Sequence, residues 1–383
     1  MNRDILALDF YGNTVTAALA SLDPSTDTMR VRYVTRKPCR FFAGGFVRDM
    51  AGAKRELIGL LSDVALYSTE PSVVVGVRGP FLSFQHRTGF ATVMSRGRII
   101  RDSDIDEVIK SAVPANLSEN LEVLDILPLS FNVDGNTNIT DPKGMMGMTL
   151  EVEAFVSYAM SSHLANLNNV LMACGCNDFQ LLPTIVALGE TLLTPAEKDG
   201  TTLLLDIGEI STSALLYREG ILMDGWELDF GFDELVKTVA DILLNDEETT
   251  RTVLLENPPK TDKYTDELWE DGTDALLTRI KDELLQSFSF LQKNPTHLVI
   301  SGSAANNLLT KAAKKIFSAR KARLAVFDDL ISDCETNKPD YNGALAVLQH
   351  ALAREQENMG VAQVKETGFF NGLLAKLGLN SLF

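Results

Sequence analysis

Short, nearly continuous apolar runs recur along the chain, each ending in a turn of small or polar residues. Thr201–Gly220 (TTLLLDIGEISTSALLYREG) gives the pattern most fully. Leu203, Leu204, Leu205 and Ile207 predict a strand buried inside a sheet, Gly208 and the hydroxyls of Ser211, Thr212 and Ser213 predict a tight turn, and Ala214–Tyr217 re-enters the sheet. Asp206 interrupts the run near its end, and a carboxylate in a buried strand is costly unless something uses it. Ile5–Leu19 repeats the arrangement: strand, Asp9, a turn at Gly12 and Asn13, strand. Leu298–Ala305 (LVISGSAA) is a third apolar strand ending in small residues before a helix.

Between these elements the period changes. Arg48–Tyr67 places Leu57, Leu60, Leu61 and Val64 at helical spacing. Ser72–Val77 (SVVVGV) predicts a buried strand, Ser83–Ile100 a strand with Arg87, Arg96 and Arg98, and Asp102–Ala112 a short helix with Ser103 as its cap. Leu121–Val133 predicts a strand pair turning at Asp134-Gly135, and Ile139–Leu150 a loop leading into a strand over 149–157. Helices are predicted over Asn166–Cys174, Asp229–Leu244, Thr273–Asn294, Leu308–Ala322 and Tyr341–Arg354, with Pro258–Gly272 as an acidic loop. The last stretch, Gly368–Phe383, puts Phe369, Phe370, Leu373, Leu374 and Leu377 on one helical face. It is too short to span a bilayer and suits a helix lying in the membrane interface.

Two Asp-ended hairpins in one chain imply a duplicated domain with a cleft between the halves. An Asp at a strand end, followed by a glycine and hydroxyl turn, can hold Mg²⁺ through water while backbone N–H groups face a phosphate. The 383 residues, 45% hydrophobic and 23% charged, suit a globular protein of two or more domains. A net charge of −17 argues against a nucleic-acid partner. Cys39, Cys174, Cys176 and Cys334 are too few and scattered for a disulfide framework and read as reduced thiols; the four histidines lack metal-site spacing. The N-terminus opens on strand-like sequence, so no signal peptide is expected.

The order of the three turns resembles the actin and Hsp70 ATPase superfamily. The resemblance narrows at Asp134-Gly135, Ile139, Asp141-Pro142, Gly144-Met145, Gly147 and Leu150-Glu151, which look like the signature of the bacterial cell-division actin homologue FtsA. Gly45-Phe46-Val47-Arg48-Asp49 resembles that family's entry to its first long helix.

The resemblance implies an α/β, actin-like, two-lobed ATPase fold (a duplicated ribonuclease-H-like fold) with a small domain inserted in the first lobe and a C-terminal amphipathic helix. The expected boundaries are 1–78 and 157–200 for the first subdomain, 79–156 for the insert, 201–350 for the second lobe, 351–367 for a linker and 368–383 for the membrane helix. It implies ATP with Mg²⁺ held at Asp9, Gly12, Asn13, Thr14, Asp206, Gly208, Ser211, Gly231, Gly302 and Ser303, with Glu248 and Arg251 at ribose and adenine. Asp9 and Asp206 would hold the metal through water, and Asp206 and Glu190 are the catalytic candidates. The implied partners are the C-terminal tail of FtsZ, bound by the lobe containing 229–291, further copies of the chain, later division proteins, and the inner membrane at the division site.

The turns depart from the family pattern. The family's first turn, D-I-G-(T/S)-(S/T)-K, is here Asp9-Phe10-Tyr11-Gly12-Asn13-Thr14, and the second, D-I-G-G-G-T, is Asp206-Ile207-Gly208-Glu209-Ile210-Ser211. Glu209 would set a carboxylate beside a triphosphate, where like charges at about 4 Å repel by about 1 kcal/mol per pair even in water. Weakened nucleotide binding and at most weak ATPase activity are therefore expected. The alternatives are a PilM-like pilus-assembly scaffold, or an active ATPase or sugar kinase of the same superfamily.

Overall fold

The computed structural model describes residues 3–23, 28–43, 45–93, 98–255, 263–287 and 294–359. The membrane-facing candidates Phe369, Phe370, Leu373, Leu374 and Leu377 lie outside these residues, as do residues 360–367 of the expected linker.

The first lobe begins with β1 (Arg3–Tyr11), β2 (Thr14–Asp23) and β3 (Thr28–Pro38), a meander closed by the two-residue pair β4 (Phe42–Ala43) and β5 (Phe46–Val47). Asp49 caps α1 (Met50–Val64) by accepting from Ala51 N at 3.0 Å. β6 (Ser72–Val77) then pairs parallel with β1.

The inserted domain follows: β7 (Leu82–Thr92), β8 (Arg98–Ile99), α2 (Asp102–Ser111), β9 (Leu121–Val133), β10 (Asn136–Ile139), β11 (Met146–Gly147) and β12 (Thr149–Met160). Its antiparallel sheet has the order β10-β9-β12-β7 and packs α2 on one face. Leu121–Val133 is one long strand rather than a pair; the turn at Asp134-Gly135 leads out of it into β10, with both residues at positive φ. α2 begins one residue before Ser103, which therefore lies inside the helix rather than capping it. Arg101 is at the cap position, and Asp104 reaches back to accept from Arg101 N at 2.8 Å.

The chain returns through α3 (Ser161–Ala173), β13 (Phe179–Pro183), α4 (Thr184–Leu192) and the single turn α5 (Pro195–Lys198). The second lobe comprises β14 (Thr201–Ile207), β15 (Thr212–Arg218), β16 (Ile221–Leu228), α6 (Phe232–Leu243), α7 (Glu247–Leu255), α8 (Lys263–Ser287), β17 (His297–Ser301), α9 (Asn307–Ile316), β18 (Lys321–Leu324) and α10 (Asn342–Met359).

The two large sheets have the same topology. One runs β3-β2-β1-β6-β13 and the other β16-β15-β14-β17-β18, each with an antiparallel meander followed by two parallel strands. α4 and α10 are packed between them: Ile185, Leu188, Leu345 and Leu348 share one core with Ile5 and Ala7 of the first sheet and Leu204 and Val299 of the second. The opposite faces are covered by α1 and α3 in the first lobe and by α6, α8 and α9 in the second.

Three boundaries differ from the sequence reading. α8 begins at Lys263, inside the stretch expected as a loop, because Trp269 is 3% exposed in the second-lobe core and gives that acidic segment an apolar anchor. α9 stops at Ile316, where Ser318 takes a positive φ of 51° and the chain turns back as β18. α10 continues past the expected end of the lobe to Met359, with Ala351 and Leu352 buried on it.

Candidate functional site

The two Asp-bearing strand ends face each other across the cleft between the sheets. Asp9 is the third residue from the end of β1 and Asp206 the second from the end of β14. Each is 1% exposed. Ile210 stands across the cleft from the first turn: a Cβ on Gly12, which has a φ of +63°, would lie 3.8 Å from Ile210 Cγ1.

The space between the carboxylates is filled by an arginine. Arg78 follows β6 and is 4% exposed. Its Nε donates to Asp9 Oδ1 at 3.0 Å and its Nη2 to Asp9 Oδ2 at 2.8 Å. Its Nη1 donates to Asp206 Oδ2. Thr184 Oγ1, at the start of α4, donates to Asp9 Oδ1 at 3.0 Å. The guanidinium therefore joins a first-lobe carboxylate to a second-lobe one, with the planar fork that only arginine provides. Two glycines make the room. A Cβ at Gly343, in the first turn of α10, would stand 2.1 Å from Asp9 Oδ2 and 2.2 Å from Arg78 Nη2. One at Gly76 would stand 2.4 Å from Thr184 Oγ1 and 2.9 Å from Asp9 Oδ1.

Tyr11 closes the same space from the side. Its ring lies 3.8 Å from the Arg78 guanidinium, and its hydroxyl donates to the Asp206 carbonyl at 3.1 Å. The ring rests on Gly208, where a Cβ would come within 2.3 Å of it. The glycine that would let a phosphate approach the second turn thus accommodates a tyrosine from the first.

The electrostatics follow from burial. Burial raises the Asp9 carboxyl above its ordinary value against the pull of Arg78. The Arg78 guanidinium is disfavoured by burial, but Asp9 and Asp206 outweigh that and hold it charged. Tyr11 is pushed well up, by burial and then by Asp206, so it remains a neutral donor. Glu227, on β16, completes the cluster. Its Oε2 accepts from Ser213 Oγ at 2.8 Å and from Gly79 N at 3.3 Å, while Oε1 is buried without a hydrogen-bond partner. Burial pushes the Glu227 carboxyl up to about 8, so it is neutral at pH 7.

At the rim, Glu209 is flanked by cations rather than left to repel an anion. Arg36 Nη2 lies 3.3 Å from its Oε1 and Arg251 Nη1 3.2 Å from its Oε2. Arg251 also pairs with Asp233 at 2.6 Å, and Arg36 with Asp340 at 3.1 Å and with Thr14 Oγ1 at 3.0 Å. Thr14 Oγ1 in turn donates to the Tyr11 carbonyl at 2.8 Å.

The remaining candidates divide into two groups. Gly231 begins α6 against the second turn, with Phe232 N donating to the Gly208 carbonyl at 2.9 Å and Asp233 N to the Glu209 carbonyl at 2.7 Å. The Ser211 carbonyl accepts from Gly208 N at 3.0 Å, and Gly302, at a φ of +101°, packs on the Ile207 carbonyl with the partly buried Ser303 next to it. Asn13 accepts through its carbonyl from Cys39 N at 2.6 Å. These residues gather at the cleft. Glu248 is exposed on α7. Glu190 is engaged elsewhere: it accepts from Tyr217 Oη at 2.7 Å and pairs with Lys198 at 3.0 Å. Among the described residues no group of three or more His, Cys, Asp or Glu could hold a metal ion.

A magnesium–triphosphate does not fit these side chains. Both oxygens of Asp9 and one of Asp206 are already committed to Arg78, and Tyr11 lies where the second turn would receive phosphate.

Comparison with known proteins bears on what this framework is. Residues 81–157, the inserted domain, match a family model described as the SHS2 domain inserted in FtsA. Over that insert the chain is similar to FtsA. It is 29% identical over 167 residues to the cell division protein FtsA of Bacillus subtilis, covering 44% of this chain and 38% of that protein. It is 25% identical over 273 residues to FtsA of Enterococcus faecalis, covering 65% and 62%. The aligned part thus spans less than two thirds of these relatives' length. Among solved structures, a PilM–PilN type IV pilus biogenesis complex matches with a TM-score of 0.63 at 17% identity, over 91% of this chain and 98% of that one. MreB5 of Spiroplasma citri bound to ADP matches at 0.50 with 10% identity, over 94% and 99%. Both likenesses concern the fold. The protein therefore has an actin-like two-lobed α/β framework carrying an insert similar to that of FtsA.

Proposed function

We propose that this protein is an actin-like scaffold of bacterial cell division. It holds the tubulin-like FtsZ to the inner membrane, through its second lobe on one side and residues 368–383 on the other. The observation that supports this most is a combination: an SHS2 insert of the FtsA kind at 81–157, in a duplicated framework of the actin-like kind. The insert, with Phe90, Ile99, Met146 and Met148 exposed on it, serves contacts to further copies and to later division proteins. The amphipathic pattern of Gly368–Phe383 gives the membrane attachment, by apolar insertion more than by charge, since only Lys376 lies within it.

Nucleotide has a reduced part in this reading. MreB5 has been solved with ADP and with AMPPNP, so the shared fold can hold an adenine nucleotide. In this chain the corresponding cleft is filled by Arg78 and Tyr11. Assembly is accordingly set by protein concentration, membrane and partners, and ATP turnover is weak or lost. A pilus-assembly role like that of the PilM relative is the second reading, resting on overall shape.

Three measurements test the proposal. A fluorescent fusion is expected at the division site, and the full chain is expected to pellet with anionic vesicles and to bind an FtsZ C-terminal peptide. Deletion of 368–383 is expected to abolish pelleting and leave peptide binding unchanged. Diffuse localisation together with no peptide binding would overturn the division role.

A further inference from the structure

We propose that Arg78 is a built-in counterion: it takes the bridging place of a divalent metal between Asp9 and Asp206 and clasps the two lobes shut without nucleotide. The inference deepens the reading of a weakened nucleotide site, and rests on it for the identity of the two turns. The turns' own departures from the family pattern suggested repulsion of phosphate by Glu209, but Arg36 and Arg251 neutralise that carboxylate. The obstacle is deeper.

Four observations converge. Two carboxylates, each 1% exposed and each on a different lobe, would repel strongly if left alone. One guanidinium, 4% exposed, contacts both, in a bidentate fork on Asp9 and a single bond to Asp206. The surroundings are shaped to that guanidinium, since Gly343 and Gly76 leave no room for a Cβ beside the fork and the Tyr11 ring stacks on it at 3.8 Å. Further bonds cross the same gap in parallel: Tyr11 Oη to the Asp206 carbonyl at 3.1 Å, Gly79 N to Glu227 at 3.3 Å, and Arg36 to Glu209 at 3.3 Å. A metal–phosphate group closes a two-lobed cleft by giving both sides one charge to hold. Here a side chain supplies that charge.

The clasp makes predictions that a merely stabilising arginine does not. Replacing Arg78 by a small neutral residue leaves two facing carboxylates, which is a hard-oxygen cation site. In the Arg78→Ser variant, Mg²⁺ or Mn²⁺ alone is expected to restore most of a loss in Tm of about 5 °C. The same ions should leave the parent unchanged. Tyr11→Gly in addition frees Gly208, and the double variant is expected to bind Mg-ATP by calorimetry where the parent gives no heat. Equal response of parent and Arg78→Ser to the metal, or micromolar Mg-ATP binding by the parent, would overturn the clasp.

If Arg78→Ser proves insoluble in every condition, hydrogen exchange on the parent decides. Amides of 9–13 and 206–211 are expected to be as protected without nucleotide as with Mg-ATP, and about tenfold slowing on its addition would overturn the proposal. None of these readouts involves FtsZ peptide or vesicles. Failure of the clasp is therefore distinguishable from failure of the division role.

Discussion

Arg354, on α10, donates to both carboxylate oxygens of Asp125 on β9, at 2.6 and 3.0 Å. Asp125 is 1% exposed, and the pair ties the helix that runs between the two large sheets to the inserted domain. Arg354→Ala leaves the aspartate buried without its charge partner and is expected to cost about 3 kcal/mol in urea unfolding. Asp125→Asn together with Arg354→Ala should recover part of that loss. If the single and double variants are equally destabilised, the pair contributes through packing alone.

Glu227 gives stability a downward slope with pH. Its carboxyl is pushed up to about 8 in the fold, against an ordinary value of 4.5. Between those values the folded chain keeps a proton that the unfolded chain has lost, so stability falls as pH rises from 4.5 to 8 and then levels. Glu227→Gln is expected to remove that fall, an effect on the order of a few kcal/mol across the window. Urea midpoints at a series of pH values check it, and an unchanged slope in the variant would assign the fall to other groups. His350 works in the opposite sense: burial, then Arg354, bring it down to about 4, so stability falls on acidification from 6.5 to 4.

Gly208→Ala should be poorly tolerated despite an unremarkable backbone, because the new methyl would stand 2.3 Å from the Tyr11 ring. Overpacking of this kind typically costs about 1–3 kcal/mol. Tyr11→Gly in the same chain is expected to cancel much of the cost, giving a coupling energy in a double-mutant cycle. Additive losses would mean that the ring moves aside freely.

Glu209→Gly restores the family's glycine in the second turn, yet it is expected to gain no measurable Mg-ATP binding. The substitution releases Arg36 and Arg251 at the rim but leaves Arg78 and Tyr11 in place. Calorimetry that shows binding by this variant alone would make Glu209 the obstacle after all.

The framework was legible because it is written in local patterns. Each sheet announces itself as an apolar strand, an Asp near its end and a turn, and the insert by the run from Asp134 to Glu151. Arg78 was not legible as part of the site. After Ser72–Val77 it reads as the polar end of a buried strand, and its partners lie 69 and 128 residues away. A signal was present in the two flanking facts: a strand-end aspartate beside an unusual Tyr11, and an arginine leaving the neighbouring parallel strand. Glu190 was misleading for the converse reason. It lies on the helix whose first residue, Thr184, does touch Asp9, but two turns further on, where it meets Tyr217 and Lys198. The extent of α8 escaped because the stretch before Thr273 is acidic and polar, and one buried Trp269 decides it.

A counterion that is part of the chain cannot be diluted, chelated or exchanged. The clasp between Asp9 and Asp206 keeps no record of time, since nothing in it is consumed and nothing leaves. If such subunits were built into a filament, it would have no old end and young end, and its dismantling would have to be imposed from outside.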